Sequence, residues 1–164
     1  MIGAVEQAPD DYLLKPFTGE ALSKRLDKAI RKKQEFRCVD EAMRNNEYLR
    51  AIEECNERIR NRDEYTLDFM KLKGRLSLMI GDYPAAKQVY TGVLAAKPIP
   101  WAKMGLGKAE FHLKNLATAE QLFKEVLEKN GQVMEAYDWL AKTHTAQAEY
   151  AAAQAILQNA VRLS

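Results

Sequence analysis

The stretch GDYPAAKQVYTGVLAAKP, residues 81–98, decides the fold because it returns twice further along the chain. The two later copies are NLATAEQLFKEVLEKNG, residues 115–131, and EYAAAQAILQNAVRL, residues 149–163. One alanine marks the register of each copy, with steps of 33 and 34 residues between them: Ala86, Ala119 and Ala153. A period of this length is typical of proteins built from stacked structural repeats.

The apolar residues inside each copy follow the period of an α-helix. In the copy at 115–131 they occupy i, i+3, i+4, i+7 and i+8: Ala119, Leu122, Phe123, Val126 and Leu127. Small residues recur upstream at the same steps, at Gly74, Gly107 and Ala141. A small side chain lets two helices approach closely, so each unit is predicted to be a pair of helices in tight contact.

The segments between these patterns carry helix stop and start signals. Gly81 is placed to end a helix, and Asp82 can cap the next one, in whose first turn Pro84 is tolerated. The run Lys97-Pro98-Ile99-Pro100 cannot be helical at its centre and separates two units. A weaker copy, residues 46–59, precedes the others. One helical pair cannot bury its apolar face alone, so neighbouring pairs must stack.

The pattern resembles tetratricopeptide repeats. The residues that carry the resemblance lie in three units: Gly74, Ala86, Tyr90 and Pro98; Leu106, Gly107, Ala119 and Phe123; Tyr137, Leu140, Ala141, Ala153, Leu157 and Ala160. Three positions depart from it, with charged residues where the family has apolar or small ones: Arg58, Lys103 and Glu110. The resemblance predicts an all-α, right-handed α-solenoid of about four helical hairpins over residues 32–164, with units at about 32–65, 67–99, 100–133 and 134–164.

A solenoid of this family presents a concave groove lined by the first helix of each unit. The resemblance places ten candidate partner-binding residues in this groove: Lys71, Arg75, Leu78, Trp101, Met104, Lys108, Phe111, His112, Asp138 and Lys142. They include a cationic row beside an apolar cluster, which predicts a peptide or helix with an acidic side and one or two apolar anchors. The alternative is that the lysines are merely solvated and Trp101 packs between units. The family's carboxylate clamp uses asparagine at the cationic positions, so a chaperone C-terminus is not the expected partner.

The N-terminal 31 residues follow a different pattern. Within DDYLLKPF, residues 10–17, the apolar run from Tyr12 to Phe17 is predicted to be a short strand that ends in a Lys-Pro turn. Thr18 then caps an amphipathic helix with an apolar face of Leu22, Leu26, Ala29 and Ile30. Residues 19–45 are expected to form either one long helix or two helices with a bend near Lys32-Lys33.

This segment resembles the last strand and last helix of a response-regulator receiver domain, with Lys15 and Pro16 at the positions of the family's Lys-Pro pair. The resemblance predicts that residues 1–31 are a receiver remnant of a longer protein and that the phosphoacceptor aspartate lies upstream. A chance match in a lone repeat protein is the alternative. An orphan strand exposes an unpaired edge, so residues 1–17 are expected to be disordered or to pair with a second copy in a homodimer.

Composition excludes several classes of protein. Hydrophobic residues make up 47% and charged residues 29% of the 164 residues, which is ordinary for a globular chain. A net charge of +2 gives no electrostatic case for nucleic acid or anionic membranes. No apolar run is long enough to span a bilayer, and the first ten residues lack the features of a signal peptide. Two cysteines without an export signal favour the reducing cytoplasm.

The sequence offers no catalytic or metal-binding motif, and no cofactor is predicted. Cys38 and Cys55 are both interpreted as inward-facing core residues rather than a redox pair. His144 is interpreted as a packed core histidine, while His112 falls on the groove face. The predicted function is protein–protein interaction as the output part of a two-component response regulator. A stand-alone scaffold or assembly adaptor is the main alternative, a nucleic-acid-linked regulator is less expected, and an enzyme is least expected.

Overall fold

The structure, a computed structural model, describes residues 18–164, and this part of the chain consists of helices joined by short turns. Its eight helices are α1 (Gly19–Arg44), α2 (Tyr48–Arg60), α3 (Thr66–Met79), α4 (Tyr83–Ala96), α5 (Pro100–His112), α6 (Leu116–Lys129), α7 (Met134–Ala146) and α8 (Tyr150–Leu163). Consecutive helices pair as four hairpins, α1/α2, α3/α4, α5/α6 and α7/α8. The predicted all-helical architecture is confirmed over these residues.

The hairpins stack in the order of the chain. Each helix packs against the helices before and after it, and within residues 18–164 further contacts join the first helices of successive hairpins: α1 with α3 through the stacked rings of Phe36 and Phe69, α3 with α5, and α5 with α7. The first helices of successive hairpins therefore form one continuous surface, which we call the inner face. This arrangement is a solenoid, in which each hairpin contacts only its neighbours.

The turn inside each hairpin contains one residue with a positive φ angle. These residues occupy equivalent places after the first helix: Asn46, Gly81, Lys114 and Ala148. Only Gly81 has no side-chain penalty for this left-handed conformation. Asp82 then caps α4, because its Oδ1 accepts a hydrogen bond from Ala85 N at 3.1 Å, as the sequence predicts.

At three glycines the backbone of one helix packs directly against an aromatic ring of a neighbouring helix. A Cβ atom at Gly107 would lie 2.6 Å from the Phe123 ring, and one at Gly74 would lie 2.6 Å from the Tyr90 ring. Gly105 completes the pattern, since its Cβ would lie 2.2 Å from Cζ of the same tyrosine. The Tyr90 ring is thus enclosed between α3 and α5, and the predicted role of small residues in close helix approach is confirmed.

The core runs along the solenoid as three adjoining clusters instead of one centre. The first joins α1, α2 and α3 through Val39, Ala42, Ala51, Cys55, Tyr65, Phe69 and Leu76. The second joins α4 and α5 through Ala86, Tyr90, Val93, Ala102 and Ala109. The third joins α5, α6 and α7 through Met104, Ala119, Phe123, Val126, Ala136 and Leu140. Each cluster is buried only because two hairpins meet.

Of the two arrangements expected for residues 19–45, the structure shows the single long helix. Every residue from 18 to 34 is exposed, and Leu26 and Ile30 are each 54% exposed. Lys32 is where α1 first bonds to another helix, through an ion pair with Asp68 at 3.3 Å. The domain boundary predicted at residues 31/32 falls inside this helix. Lys15, Pro16 and the predicted strand lie outside the described residues.

The interpretation of Cys38 as an inward-facing residue is wrong, because its side chain is exposed. The inward face of α1 is formed by Val39 and Ala42, and Cys38 lies about 100° around the helix from Val39. Cys55 is buried as expected, and burial raises the pKa of its thiol to about 12. It is a core residue with no thiolate at neutral pH.

Ion pairs accommodate the three charged residues that depart from the repeat pattern. Glu110 is buried, accepts a hydrogen bond from Asn115 at 2.6 Å and lies 3.0 Å from Lys87 Nζ. Lys103 contacts Glu125 at 2.6 Å, and Arg58 contacts Glu35 at 2.5 Å and Asp63 at 3.4 Å. A charge at each of these sites is tolerated because it has a partner on another helix or turn.

Candidate functional site

The inner face contains three adjoining cavities, and all ten residues predicted for the groove line at least one of them. The Trp101 pocket, about 390 Å³, is lined by Lys71, Arg75, Pro100, Trp101, Met104, Gly105, Lys108, Val126, Val133 and Glu135. The Trp139 pocket, about 310 Å³, is lined by Arg75, Leu78, Met79, Lys108, His112 and Trp139. The Phe111 pocket, about 470 Å³, is lined by Phe111, Asp138, Ala141, Lys142, Thr145, Ala146 and Leu157.

Trp101 is held in place by a neighbouring aromatic ring and by a lysine. Its ring meets the buried Tyr90 ring edge-on, with centroids 6.3 Å apart. Lys71 Nζ lies 5.5 Å from the Trp101 ring centroid, within the range of a cation–π interaction. Trp101 is half-buried, so it both packs between hairpins and lines a cavity. Packing between units is the alternative that the sequence leaves to a place in the groove, and Trp101 does both in the structure.

Trp139 lines a cavity of the inner face, although it is absent from the ten residues predicted for the groove. Its ring meets Phe111 edge-on at 5.5 Å and packs on Phe123 at 6.2 Å. Lys142 Nζ lies 4.5 Å and Lys108 Nζ 5.7 Å from its centroid. The repeat pattern assigns this position no role in the groove. The signal available in the sequence is that Trp139 is one of only two tryptophans, following Asp138 directly in the predicted groove.

His112 is fixed between aromatic side chains of two other helices, α4 and α7. Its ring stacks flat on Tyr83, with centroids 4.3 Å apart, and meets Trp139 edge-on at 5.8 Å. Burial, followed by the nearby charges of Lys114 and Lys142, lowers the pKa of His112 below its usual value. The imidazole is therefore neutral at pH 7 and serves as part of the apolar wall of the Trp139 pocket.

The positive charges of the inner face are only partly compensated. Lys108 forms an ion pair with Glu135 on α7. Lys71, Arg75 and Lys142 have no ion-pair partner among residues 18–164. The Trp139 pocket has two cationic side chains in its lining and no acidic one. The surface combines aromatic rings, flexible apolar side chains and positive charge, which is a composition found at protein-binding sites.

Asp138 and Lys142 lie at one end of this surface, in the Phe111 pocket and away from the Trp101 pocket. Phe111 connects the two parts, because its ring contacts both His112, at 5.4 Å, and Trp139. The ten predicted residues thus form a continuous strip across α3, α5 and α7. Their role in binding a partner stays a prediction.

The remaining titratable groups of residues 18–164 form no cluster that resembles a metal site. His144 is buried as expected, with Nδ1 2.6 Å from a Glu149 oxygen and Nε2 3.8 Å from a Glu120 oxygen. Over residues 18–164 no three His, Cys, Asp or Glu side chains come together as metal ligands would. None of the helices in this part of the chain combines the length and apolar character needed to cross a membrane.

Comparison with solved structures identifies the fold. MamA residues 41 to the end from Desulfovibrio magneticus RS-1 matches with a TM-score of 0.71 and 18% identity, over 79% of this chain and 73% of that one. The thermophilic tetratricopeptide repeat protein TTC0263 from Thermus thermophilus matches with a TM-score of 0.66 and 16% identity, over 80% and 74%. A tetratricopeptide repeat protein from Parabacteroides merdae ATCC 43184 matches with a TM-score of 0.64 and 18% identity, over 77% and 49%.

These matches establish a tetratricopeptide-repeat fold, as the sequence predicts. No protein-family model matches the chain, and no curated protein matches it significantly. At 16–18% identity the similarity concerns the fold alone. None of the three comparisons supports a receiver remnant, so that part of the interpretation rests on residues 1–31 alone.

Proposed function

We propose that the chain is a protein-interaction module that holds a peptide or helix of a partner protein on its inner face. The observation that carries this proposal is the position of the two tryptophans. Trp101 and Trp139 line adjoining cavities, and a lysine ammonium lies over each ring. Aromatic side chains in partly desolvated pockets contribute most of the binding energy in many interfaces.

The exposed apolar side chains beside these tryptophans support the same function. Met79 is 58% exposed on the rim of the Trp139 pocket, and Leu78 lies beside it. Met is common on binding surfaces that adapt to a partner, because its side chain is unbranched and flexible. A folded surface that exposes such residues next to uncompensated cations is suited to a partner with apolar and acidic groups.

The test is capture of partners from an extract of the source cells by the full chain and two matched variants. Met79→Glu places a charge on the rim of the Trp139 pocket, whereas Leu49→Glu changes a residue on α2 that is 74% exposed and lies outside the three cavities. Partners lost with Met79→Glu and retained with Leu49→Glu support the proposal. Partners retained by both variants, with both folded by circular dichroism, contradict it.

A second proposal is that this module is the output part of a two-component response regulator. The sequence DDYLLKPF and the exposed apolar face at the start of α1 support it, since Leu22, Leu26 and Ile30 need a covering element. Reading the gene upstream of the codon for Met1 tests this proposal. A receiver sequence with an acidic pair and a phosphoacceptor aspartate supports it, while unrelated sequence favours a stand-alone scaffold or adaptor.

The same exposed face of α1 supports a proposal of homodimer formation through the N-terminal segment. Leu26 lies at its centre and is 54% exposed. Light scattering of the chain and of Leu26→Glu tests it, with a dimer expected for the first and a monomer for the second. Equal masses for the two proteins contradict the proposal.

We also propose a cytoplasmic location, supported by two unpaired cysteines, Cys38 and Cys55.

A further inference from the structure

The Trp101 pocket and the Trp139 pocket are two compartments of one site. Arg75 and Lys108 line both cavities and stand between them. Beyond this cationic partition each compartment has an apolar wall, formed by Met104 on one side and by Leu78 and Met79 on the other. A ligand that fills both compartments must therefore place one apolar group on each side of the positively charged ridge formed by Arg75 and Lys108.

The charge balance of the two compartments favours an anionic group at the ridge. Lys71, Arg75 and Lys108 line the Trp101 pocket against a single acidic residue, Glu135. Glu135 already forms an ion pair with Lys108, and its side chain is 57% exposed. A carboxylate can compensate Arg75, which has no ion-pair partner within residues 18–164, and can compete with Glu135 for Lys108.

Helix α5 gives the distance between the two compartments. It contributes Pro100, Trp101, Met104, Gly105 and Lys108 to one and Lys108 and His112 to the other. At a rise of 1.5 Å per residue the centres of these two sets are about 10 Å apart along the helix axis. Side chains at i and i+4 of a ligand helix are about 6 Å apart along its axis, and those at i and i+7 about 10 Å.

A helical ligand also explains how apolar and acidic groups reach the same surface. Residues at i, i+3, i+4 and i+7 share one face of a helix, whereas the middle residues of an extended strand alternate between faces. A carboxylate at i+3 or i+4 therefore lies between two apolar anchors and faces the ridge.

We propose that the inner face binds a short amphipathic helix of a partner protein whose apolar face carries a carboxylate between two apolar anchors. One anchor enters the Trp101 pocket, the other enters the Trp139 pocket, and the carboxylate lies against Arg75 and Lys108. This inference rests on the proposed function and adds the chemistry of the partner to it. It differs from a clamp for a terminal carboxylate, because both anchors and the acidic group belong to the interior of a helix.

The experiment uses the full chain and designed amphipathic peptides of about 14 residues, long enough for four helical turns. The probe peptide carries Leu at i and i+7 with Glu at i+3 and i+4. One control peptide has Gln in place of both Glu residues, and a second has Ala in place of one Leu. We expect the probe peptide to bind at least about tenfold more tightly than either control.

The two tryptophans report each compartment separately. Trp101→Phe leaves only Trp139 as a fluorescent reporter, and Trp139→Phe leaves only Trp101. Because one ligand fills both compartments, the probe peptide should change the fluorescence of both single-tryptophan variants. A response from one reporter only would overturn the two-anchor arrangement.

The Lys108–Glu135 ion pair allows a test in which the two partners give opposite results. Lys108→Gln removes a charge that the ligand uses and should weaken binding of the probe peptide about fivefold. Glu135→Gln removes the competitor and should tighten binding about two- to threefold. If the pair only maintains the structure, both variants weaken binding, which contradicts the proposal.

The remaining outcomes separate this inference from the proposed function. If the probe and Gln peptides bind equally, or neither binds at about 1 mM, the inference is wrong. Partners lost from the extract with Met79→Glu would in that case still support the proposed function. Binding of a single-stranded oligonucleotide more tightly than the probe peptide would also overturn the inference, because phosphates would then be the anionic groups.

Discussion

The N-terminal half of α1 and helix α6 are both amphipathic, yet they differ completely in burial. In α6 the apolar residues Ala119, Phe123 and Val126 are at most 2% exposed, because α5 and α7 pack on either side. In α1 the apolar residues Leu26 and Ile30 are 54% exposed, because no helix of residues 18–164 lies against them. The comparison shows that an apolar stripe is buried in this protein only where a neighbouring hairpin covers it.

The largest expected effect concerns the apolar side chains of these two regions. Phe123→Ala should lower the free energy of unfolding by about 3–5 kcal/mol, because it removes a fully buried ring. Leu26→Ala should lower it by less than about 0.5 kcal/mol in monomeric protein, because that side chain is largely in solvent. Urea unfolding of both variants measures the difference, and similar losses of unfolding free energy would show that the two regions are not packed differently.

Substitutions at two glycines, one buried between helices and one on an open helix face, test the same difference in packing. Gly105→Ala should destabilise the fold by about 1–3 kcal/mol, since the new Cβ would lie 2.2 Å from the buried Tyr90 ring. Gly92→Ala, with nothing within 4 Å of its Cβ, should stabilise the exposed face of α4 by about 0.5–1 kcal/mol. Thermal unfolding measures both, and a neutral Gly105→Ala would show that the helices can separate without cost.

A smaller effect is expected in the turns, which are equivalent in all four hairpins. Ala148 has a φ angle of +63°, so Ala148→Gly should stabilise the protein by about 1 kcal/mol. Gly81 has a φ angle of +81°, and Gly81→Ala should destabilise it by a similar amount. The measurement is the melting temperature, which should rise for Ala148→Gly and fall for Gly81→Ala. A gain from both substitutions would show that the turns are not held in the left-handed conformation.

The repeat period and the helical hairpins could be predicted because burial follows the apolar pattern of each helix. The three aligned alanines and the small residues at Gly74 and Gly107 encode contacts between neighbouring helices. Contacts made by long side chains across three helices leave no such pattern. The sequence pattern therefore does not place Trp139 in the groove, since its ring contacts Phe111 on α5, Phe123 on α6 and Lys142 on α7.

Cys38 shows that the repeat pattern can also assign an exposed residue to the core. Its place in the first unit predicted an inward side chain, but α1 is a continuous helix whose register is set by Val39 and Ala42. Within residues 18–164 the first hairpin has a neighbour on one side only, so among these residues its outer positions lack the constraint that the repeat pattern implies. Glu110 likewise departs from the pattern, and only its contacts with Lys87 and Asn115 explain its burial.

Amide hydrogen exchange tests most directly whether stacked neighbours stabilise each helix. Opening of a helix end without neighbours requires little free energy, whereas opening of α6 requires separation of two hairpins. We therefore expect residues 19–31 to exchange orders of magnitude faster than residues 116–129 in the same sample. Equal protection of the two segments in monomeric protein would contradict the account.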